Sequence, residues 1–165
     1  MANGLAVAGG GRVVTPVLER LTPAALEALV AVERAGQAHP WSEAALAEAL
    51  TSPAYELWGA YAPGAPAELL GHAALYRLPF EAELQAITVA PGARRRGIAR
   101  CLLERLLARA AAWRSERLLL EVRASNAAAL ALYAAMGFRE DGRRPNYYPA
   151  GAGRREAAVL MSRPL

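Results

Sequence analysis

The chain has 165 residues, of which 55% are hydrophobic and 21% charged. This predicts a single globular domain with a substantial core and excludes an intrinsically disordered protein. The net charge is +4 and all 19 basic residues are arginine, which suits a polyanionic partner, an acidic cofactor or neither. One cysteine, Cys101, excludes an internal disulfide, and no metal-ligand cluster is visible. Without a long apolar run or a basic N-terminal segment, we expect a cytoplasmic protein that binds no membrane.

The N-terminal end divides into two parts. Residues 1–11 are rich in glycine and alanine and are predicted to be disordered, which leaves residues 12–165 as one folded domain. Within that domain, the alternation over residues 12–18 predicts a first strand.

Two helices joined by an aromatic corner are predicted next. Thr22-Pro23 supplies the cap and the first position of one helix. Ser42 caps the other, which ends at Thr51-Ser52-Pro53. Between them lies His39-Pro40-Trp41, a rigid aromatic corner whose usual role is packing.

Three strands follow the helices. Tyr55–Tyr61 and residues 69–78 are predicted to form a hairpin around the turn Pro63-Gly64-Ala65-Pro66. The β-branched run at residues 84–89 predicts a buried central strand. Two carboxylates, in Glu81-Ala82-Glu83, precede it, and carboxylates at such a place are usually solvated.

Positive charge is concentrated between this central strand and the next helix. Pro91-Gly92 ends the strand, and an apolar helical pattern begins near Gly97. Arg94-Arg95-Arg96 surrounds the helix start, where free amides and the helix dipole attract anions. The residues alone leave a diphosphate site and a solvated arginine cluster equally open. The missing Lys-Ser/Thr pair after Gly97 argues against a P-loop, and no G-x-G-x-x-G follows a strand.

The C-terminal half carries two candidate proton-transfer groups. Glu121 interrupts the apolar fifth strand, residues 118–122, and such a carboxylate is either functional or paired with Arg123 or another arginine. Tyr133 lies in a helix that Ser125-Asn126 caps and Gly137 closes, and an isolated helical tyrosine is normally a core aromatic. With two more strands at the end, the order β-α-α-β-β-β-α-β-α-β-β predicts an α/β fold with a mixed sheet and helices on both faces.

Several segments resemble one protein family. Arg94-x-x-Gly97-x-Ala99 after a strand resembles the acyl-CoA pyrophosphate loop of the GCN5-related N-acetyltransferase (GNAT) superfamily. The segments LEVRASNAAALALYAAMGF, RRPNYYP and HPWS resemble the ribosomal-protein alanine N-acetyltransferases within it, and together the similarity runs from about Thr15 to Leu165. The resemblance implies a GNAT fold, with about seven strands and with the fourth and fifth strands splayed apart.

The resemblance also assigns roles to individual residues. It implies that Glu121 is the general base and that Tyr133 is the general acid that protonates the departing thiolate. Acetyl-CoA binding is implied for the middle strand, the arginine loop and the next helix cap, that is for Ile87, Thr88, Val89, Arg94, Arg95, Arg96, Gly97, Ile98, Ala99, Arg100 and Asn126. Contacts with the acceptor are implied for Trp41, Glu81, Tyr147 and Tyr148. For Glu81 and Glu83 the resemblance leaves open, beside the interpretation as solvated charges, a role in attracting the cationic N-terminal amine of the acceptor.

The implied activity is transfer of acetyl from acetyl-CoA to a protein N-terminus, with the N-terminal alanine of a small-subunit ribosomal protein as acceptor. Two alternatives stay open, namely acetylation of a small-molecule amine and a non-catalytic module that binds acetyl-CoA or RNA. We expect no metal, no direct nucleic-acid contact and a monomer. Pro145 departs from the subfamily pattern and leaves the path of the loop at residues 143–153 open.

Overall fold

The computed structural model describes residues 15–64 and 67–165. Their regular elements are β1 (Val17–Arg20), α1 (Leu26–Gly36), α2 (Glu43–Thr51), β2 (Tyr55–Tyr61), β3 (Leu69–Arg77), β4 (Ala82–Val89), α3 (Ile98–Ala112), β5 (Arg117–Arg123), α4 (Ala127–Ala135), β6 (Arg139–Pro149) and β7 (Arg155–Pro164). Short 3-10 turns, Pro23–Ala25 and Pro91–Ala93, precede α1 and α3.

The strands form one mixed sheet in the order β1-β2-β3-β4-β5-β7-β6. Parallel pairing of β4 with β5 and antiparallel pairing of β7 with both β5 and β6 confirm the predicted mixed α/β fold, which helices flank. The β4–β5 register runs from Ala82 opposite Leu118 to Leu84 opposite Leu120 and stops there, although both strands continue. The splay of the fourth and fifth strands that the resemblance implies stays a prediction.

The first strand differs from its prediction. β1 covers Val17–Arg20 instead of residues 12–18, and residues 12–14 lie outside the described part of the chain. It pairs antiparallel with β2, beginning with Val17 opposite Tyr61. Because Pro16 has no N–H to donate to this ladder, regular pairing begins after it.

Thr22 is the cap residue of the 3-10 turn, with Pro23 at its start as predicted, but without a side-chain cap. Its hydroxyl makes no capping hydrogen bond, because the amide of Ala25 is taken by the Thr22 carbonyl, 2.9 Å away, in a 3-10 turn. The α-helix itself begins only at Leu26.

Two other predicted caps are confirmed. The Ser42 hydroxyl accepts from the Ala45 amide at 3.1 Å, and Asn126 Oδ1 accepts from the Ala129 amide at 3.2 Å. Gly137, with a φ of 87°, follows the end of α4 as a left-handed residue. These caps fix where α2 and α4 begin and where α4 ends.

Contacts divide the chain into two compact units. The first comprises the described part of Met1–Ala74 together with Ala86–Glu104, and its core includes Leu29, Leu46 and Leu57. The second comprises Leu75–Gln85 and Arg105–Leu165, with Leu118, Leu120 and Val159 among its buried side chains.

The assignment of residues 12–165 to a single domain stays a prediction. Residues 1–11, which we expected to be disordered, lie outside the described residues. So do residues 65 and 66, the second half of the turn predicted at residues 63–66. Across residues 15–64 and 67–165, none of the helices combines the length and the apolar character that crossing a bilayer requires.

Candidate active site

The loop between β4 and α3 exposes its backbone at the start of a helix. After the 3-10 turn, Arg95 and Gly97 adopt left-handed conformations, with φ values of 62° and 78°. Glycine adopts this conformation without steric cost. A Cβ at Gly97 would meet no atom within 4 Å, so the space in front of the loop is open.

The first turn of α3 provides backbone hydrogen-bond donors. Its first helical hydrogen bond joins the Cys101 amide to the Gly97 carbonyl at 3.1 Å. The preceding amides of Ile98, Ala99 and Arg100 have no acceptor within their own helix, and the helix dipole adds positive potential there. This geometry fits a phosphate group.

The arginines of the loop differ in what they contact. Arg94 Nη2 donates to the Gly36 carbonyl at 2.9 Å, and Arg100 pairs with Glu104 at 3.3 Å. Arg96 Nε is buried and finds no hydrogen-bond partner among the described residues. Because a buried donor without an acceptor is costly, Arg96 Nε carries a hydrogen-bonding deficit in this structure.

The end of β4 leads into this loop. The Thr88 hydroxyl accepts from Gln37 Nε2 at 2.9 Å and donates to Glu33 Oε2 at 2.8 Å. The Ile87 carbonyl accepts from the same Gln37 amide group at 3.2 Å. With its side chain buried, Thr88 can reach a ligand only through its backbone, as in strand-like pairing with an extended ligand.

Trp41 lies in the first unit, between α1 and α2. Its ring meets that of Tyr55 edge-on, with 6.3 Å between centroids, and lines a cavity of about 340 Å³ that also contacts Ala45 and Glu48. Its backbone amide donates to Glu33 Oε1 at 3.1 Å. The corner is therefore packed, while the indole remains partly exposed.

Glu121 lies on β5 in the second unit. Its side chain is 24% exposed, and Arg144 Nη2 lies 3.4 Å from its Oε1. The pairing with an arginine that the sequence left open does occur, but Arg123 is not the partner, since it binds Glu156 Oε1 at 3.0 Å. A carboxylate that is paired on one side and reachable by solvent on the other can take a proton from a ligand.

A second carboxylate, Glu83 on β4, belongs to the same group of charges. Burial raises its pKa, and the negative charge of Glu121 raises it further, against the opposing effects of Arg144 and of a hydrogen bond with Gln85. We call Glu83, Glu121 and Arg144 the acidic cluster. Two carboxylates beside one guanidinium favour a cationic ligand.

Tyr133 on α4 is buried and packs against Phe138, with 5.8 Å between ring centroids. Burial, together with the nearby Tyr148, raises the pKa of its phenol to about 12. Tyr133 therefore keeps its proton at neutral pH, which a general acid requires.

The hairpin formed by β6 and β7 contributes two tyrosines. The rings of Tyr147 and Tyr148 meet edge to face with 4.9 Å between centroids. The guanidinium of Arg123 lies 4.5 Å from the Tyr148 ring and that of Arg144 lies 5.4 Å from the Tyr147 ring. Arg144 thus contacts both Glu121 and this aromatic pair.

An irregularity in the same hairpin accommodates Pro145. The β6–β7 register shifts within residues 144–148, where Asn146 has a φ of 51°. Proline cannot donate to a ladder and is tolerated at such bulges. Arg155 holds the bulge by donating to the carbonyls of Asn146 and Tyr147, at 2.9 and 2.7 Å.

Two further predicted site residues make structural contacts. Asn126 caps α4, and Glu81 Oε1 accepts from Arg117 Nε at 2.6 Å. Their roles in binding coenzyme and acceptor stay predictions. In the part of the chain that the structure describes, no three His, Cys, Asp or Glu side chains are grouped to hold a metal ion.

Comparison with known proteins identifies the family. The model of the Acetyltransferase (GNAT) family matches residues 24–138, which contain the loop before α3, Glu121 and Tyr133. The chain belongs to the GNAT family.

Relatives of this GNAT protein include two enzymes named [ribosomal protein bS18]-alanine N-acetyltransferase, from Salmonella typhimurium and Escherichia coli. Each is 48% identical to it over 85 residues, which are 52% of this chain and 57% of the relative, so the match spans little more than half of their length. The N-alpha-acetyltransferase RimI of Mycobacterium tuberculosis is 43% identical over 113 residues, 66% of this chain and 68% of the relative. A crystal structure of the E. coli ribosomal-protein-S18-alanine N-acetyltransferase gives a TM-score of 0.83 at 35% identity, covering 91% of this chain and 94% of that one.

Sequence reasoning missed several residues of this GNAT site. Glu33 carried a signal, because it lies three and four residues after the buried Val30 and Leu29 on the apolar side of α1. Glu83 was expected either as a solvated edge charge or, together with Glu81, as a carboxylate that attracts the cationic amine of the acceptor. No sequence signal could have paired Arg144 with Glu121, because they lie on strands separated by β7 in the sheet.

Proposed function

We propose that this GNAT protein transfers the acetyl group of acetyl-CoA to the N-terminal amine of a protein. The N-terminal alanine of ribosomal protein bS18 is the acceptor that we expect first, because two relatives named for it are 48% identical over the matched 85 residues. Such an acceptor places the enzyme in the cytoplasm, where ribosomes are assembled. The observation that carries the proposal is the acidic cluster beside Tyr147 and Tyr148.

The acidic cluster has the charge that an N-terminal ammonium requires. Its formal charge is −1, with Glu83 and Glu121 negative and Arg144 positive. An N-terminal amine has a pKa of about 8, so at neutral pH it is mostly protonated and must lose a proton before it can attack. Glu121 takes this proton, directly or through one water.

The loop before α3 is the site that we assign to the coenzyme. Its pyrophosphate would accept hydrogen bonds from the amides of Ile98, Ala99 and Arg100. Acetyl-CoA supplies the thioester, whose carbonyl carbon forms the new C–N bond as its C–S bond breaks. Tyr133 donates its phenolic proton to the departing sulfur, and the second proton lost from nitrogen restores the phenol.

The acceptor's first residues would lie against the aromatic pair of the hairpin. Tyr147 is 40% exposed, and Arg144 of the acidic cluster contacts both its ring and Glu121. We also assign Trp41 to the acceptor, through its partly exposed indole. Flat aromatic surfaces beside carboxylates favour a peptide with a free amine over a strongly anionic ligand.

The test is acetylation of a peptide with the N-terminal sequence of bS18, followed by mass spectrometry. We expect one acetyl group on the α-amine. Glu121→Gln and Tyr133→Phe should each lower kcat by about 100-fold or more. Glu140→Gln, an exposed carboxylate paired with Arg143, and Tyr61→Phe are matched controls that should retain the wild-type rate.

Parallel reactions distinguish the alternatives. Acetylation of free small-molecule amines but not of the peptide would move the enzyme to that substrate class. Binding of acetyl-CoA without turnover would make the protein a non-catalytic module. Wild-type rates for both Glu121→Gln and Tyr133→Phe would remove these residues from proton transfer.

A further inference from the structure

A buried polar network lies in the first unit, and the proposed chemistry does not use it. Glu33 on α1 and His72 on β3 are 1% and 0% exposed, and Glu33 Oε2 lies 2.7 Å from His72 Nε2. Burying such groups is costly unless they are paired, and the pair alone is weak grounds for stability. The other contacts of Glu33 show what the pair can do.

Both carboxylate oxygens of Glu33 accept hydrogen bonds. Oε2 accepts from the Thr88 hydroxyl at 2.8 Å as well as from His72, and Oε1 accepts from the Trp41 backbone amide at 3.1 Å. Burial by itself would raise the pKa of Glu33, but the hydrogen bonds from His72, Trp41 and Thr88 outweigh it and the pKa is lowered. The carboxylate is therefore ionised at neutral pH, and His72 Nε2 is the donor of their hydrogen bond.

The end of α1 contacts the same strand at further points. Gln37 Nε2 donates to Thr88 Oγ1 and to the Ile87 carbonyl, at 2.9 and 3.2 Å. Gly36 comes so close that a Cβ would lie 2.5 Å from Thr88 Cγ2 and 3.0 Å from the Val89 carbonyl oxygen. The segment that begins at Glu33 is thus fixed against the strand that we assign to the coenzyme.

The same segment leads to the residue that we assign to the acceptor. Trp41 follows Glu33 by eight residues, and its amide is held by the carboxylate that also holds Thr88. An apolar side chain at position 33 would offer no acceptor to the Trp41 amide or to the Thr88 hydroxyl. The hydrogen bonds of Glu33 therefore determine a geometry that packing alone does not.

We propose that Glu33 is a positioning residue that couples the acceptor corner at Trp41 to the coenzyme strand at Thr88. The identity of the two ligands rests on the proposed function, whereas the coupling rests on the hydrogen bonds. Acetyl-CoA bound along β4 stiffens the corner through Glu33. Loss of Glu33 frees the corner, which weakens acceptor binding and leaves the chemical step in place.

Glu33→Gln tests this coupling. Glutamine offers one acceptor oxygen instead of two. This oxygen will face the two converging donors, His72 and Thr88, so that the NH₂ group faces the Trp41 amide, which is also a donor and loses its hydrogen bond. Glu56→Gln is the matched control, because Glu56 is another buried carboxylate of the same unit, on β2. Steady-state kinetics, calorimetry with acetyl-CoA and hydrogen exchange of the Trp41 amide are measured for each protein.

For Glu33→Gln we expect the KM for the peptide to rise about tenfold, which corresponds to the loss of one hydrogen bond to a charged group. We expect kcat and the Kd for acetyl-CoA to change by less than about threefold, and the Trp41 amide to exchange about tenfold faster. Acetyl-CoA should slow this exchange in the wild type and not in Glu33→Gln. Glu56→Gln should behave as the wild type.

An unchanged peptide KM with unchanged Trp41 exchange would overturn the proposal. So would a fall in kcat at constant KM, which would place Glu33 in the chemistry, or equal effects in Glu56→Gln. If Glu33→Gln does not fold, Glu33→Asp is the second variant, because it keeps the charge opposite His72 but is too short to hold Thr88 and Trp41 together. For Glu33→Asp we expect the same rise in peptide KM and the same faster exchange of the Trp41 amide. A wild type that binds acetyl-CoA but acetylates no peptide would contradict the proposed function alone, and the effect of acetyl-CoA on Trp41 exchange would still decide the coupling.

Discussion

Gly36→Ala tests how closely α1 approaches β4, because two opposing effects can be weighed there. Alanine is favoured over glycine in a helix by up to about 1 kcal/mol. Against this, the new Cβ would lie 2.5 Å from Thr88 Cγ2 and 3.0 Å from the Val89 carbonyl oxygen, and the latter is backbone that cannot rotate away. Overpacking of this kind costs about 1–3 kcal/mol, so we expect a net loss of about 1–2 kcal/mol.

Urea unfolding measures this loss, and for a chain of this size it corresponds to a Tm about 2–8 °C lower. Because the clash falls on Thr88 and Val89, weaker binding of acetyl-CoA should accompany it. Gly92→Ala is the control, since a Cβ there meets no atom within 4 Å and its φ is not positive, and its stability should change by less than about 0.5 kcal/mol. A Gly36→Ala protein as stable as the wild type would show that α1 and β4 do not meet as described.

Three further predictions follow from single residues. Burial and the nearby Tyr148 raise the pKa of Tyr133 to about 12, so the pH–rate profile should show no decline caused by this group between about pH 7 and pH 10. A decline in that range that disappears in Tyr133→Phe would contradict the role of Tyr133 as general acid. The pKa of Glu33 is lowered in the folded chain, so the ionised carboxylate stabilises the fold at neutral pH, and this stabilisation is lost as the pH falls through the lowered pKa. In urea unfolding from pH 7 to pH 3, the difference in free energy of unfolding between the wild type and Glu33→Gln should therefore become smaller. A constant difference would refute the assignment. Gly97→Ala forces a Cβ into a left-handed conformation at φ 78°, which should cost about 1–2 kcal/mol in thermal unfolding and weaken acetyl-CoA binding in calorimetry, whereas unchanged values would show that the loop conformation is not required.

Sequence patterns predicted the ends of helices correctly where residues close in the chain determine those ends. The caps at Ser42 and Asn126 and the left-handed Gly137 are set by side chains and backbone within a few residues, and they lie as expected. The predictions failed where a partner elsewhere decides. β1 begins after Pro16 because it must pair with β2.

The same division holds for the candidate site. The arginine loop, Glu121 and Tyr133 were found from motifs, because each motif lies within one continuous stretch of chain. The interactions of Glu83 and Arg144 with Glu121 were not predicted, since these residues come from different strands and meet only through the register of the sheet.

The sequence by itself determined the family, the order of helices and strands and the anion-binding character of the helix start, since all three depend on local patterns of residue types. Only the tertiary structure decided which arginine pairs with Glu121, that Thr88 turns its hydroxyl to Glu33, and that Glu33 also holds the Trp41 amide. The physical reason is that a buried charge takes its partners from whichever elements packing brings within hydrogen-bond distance, and sequence separation places no limit on that choice.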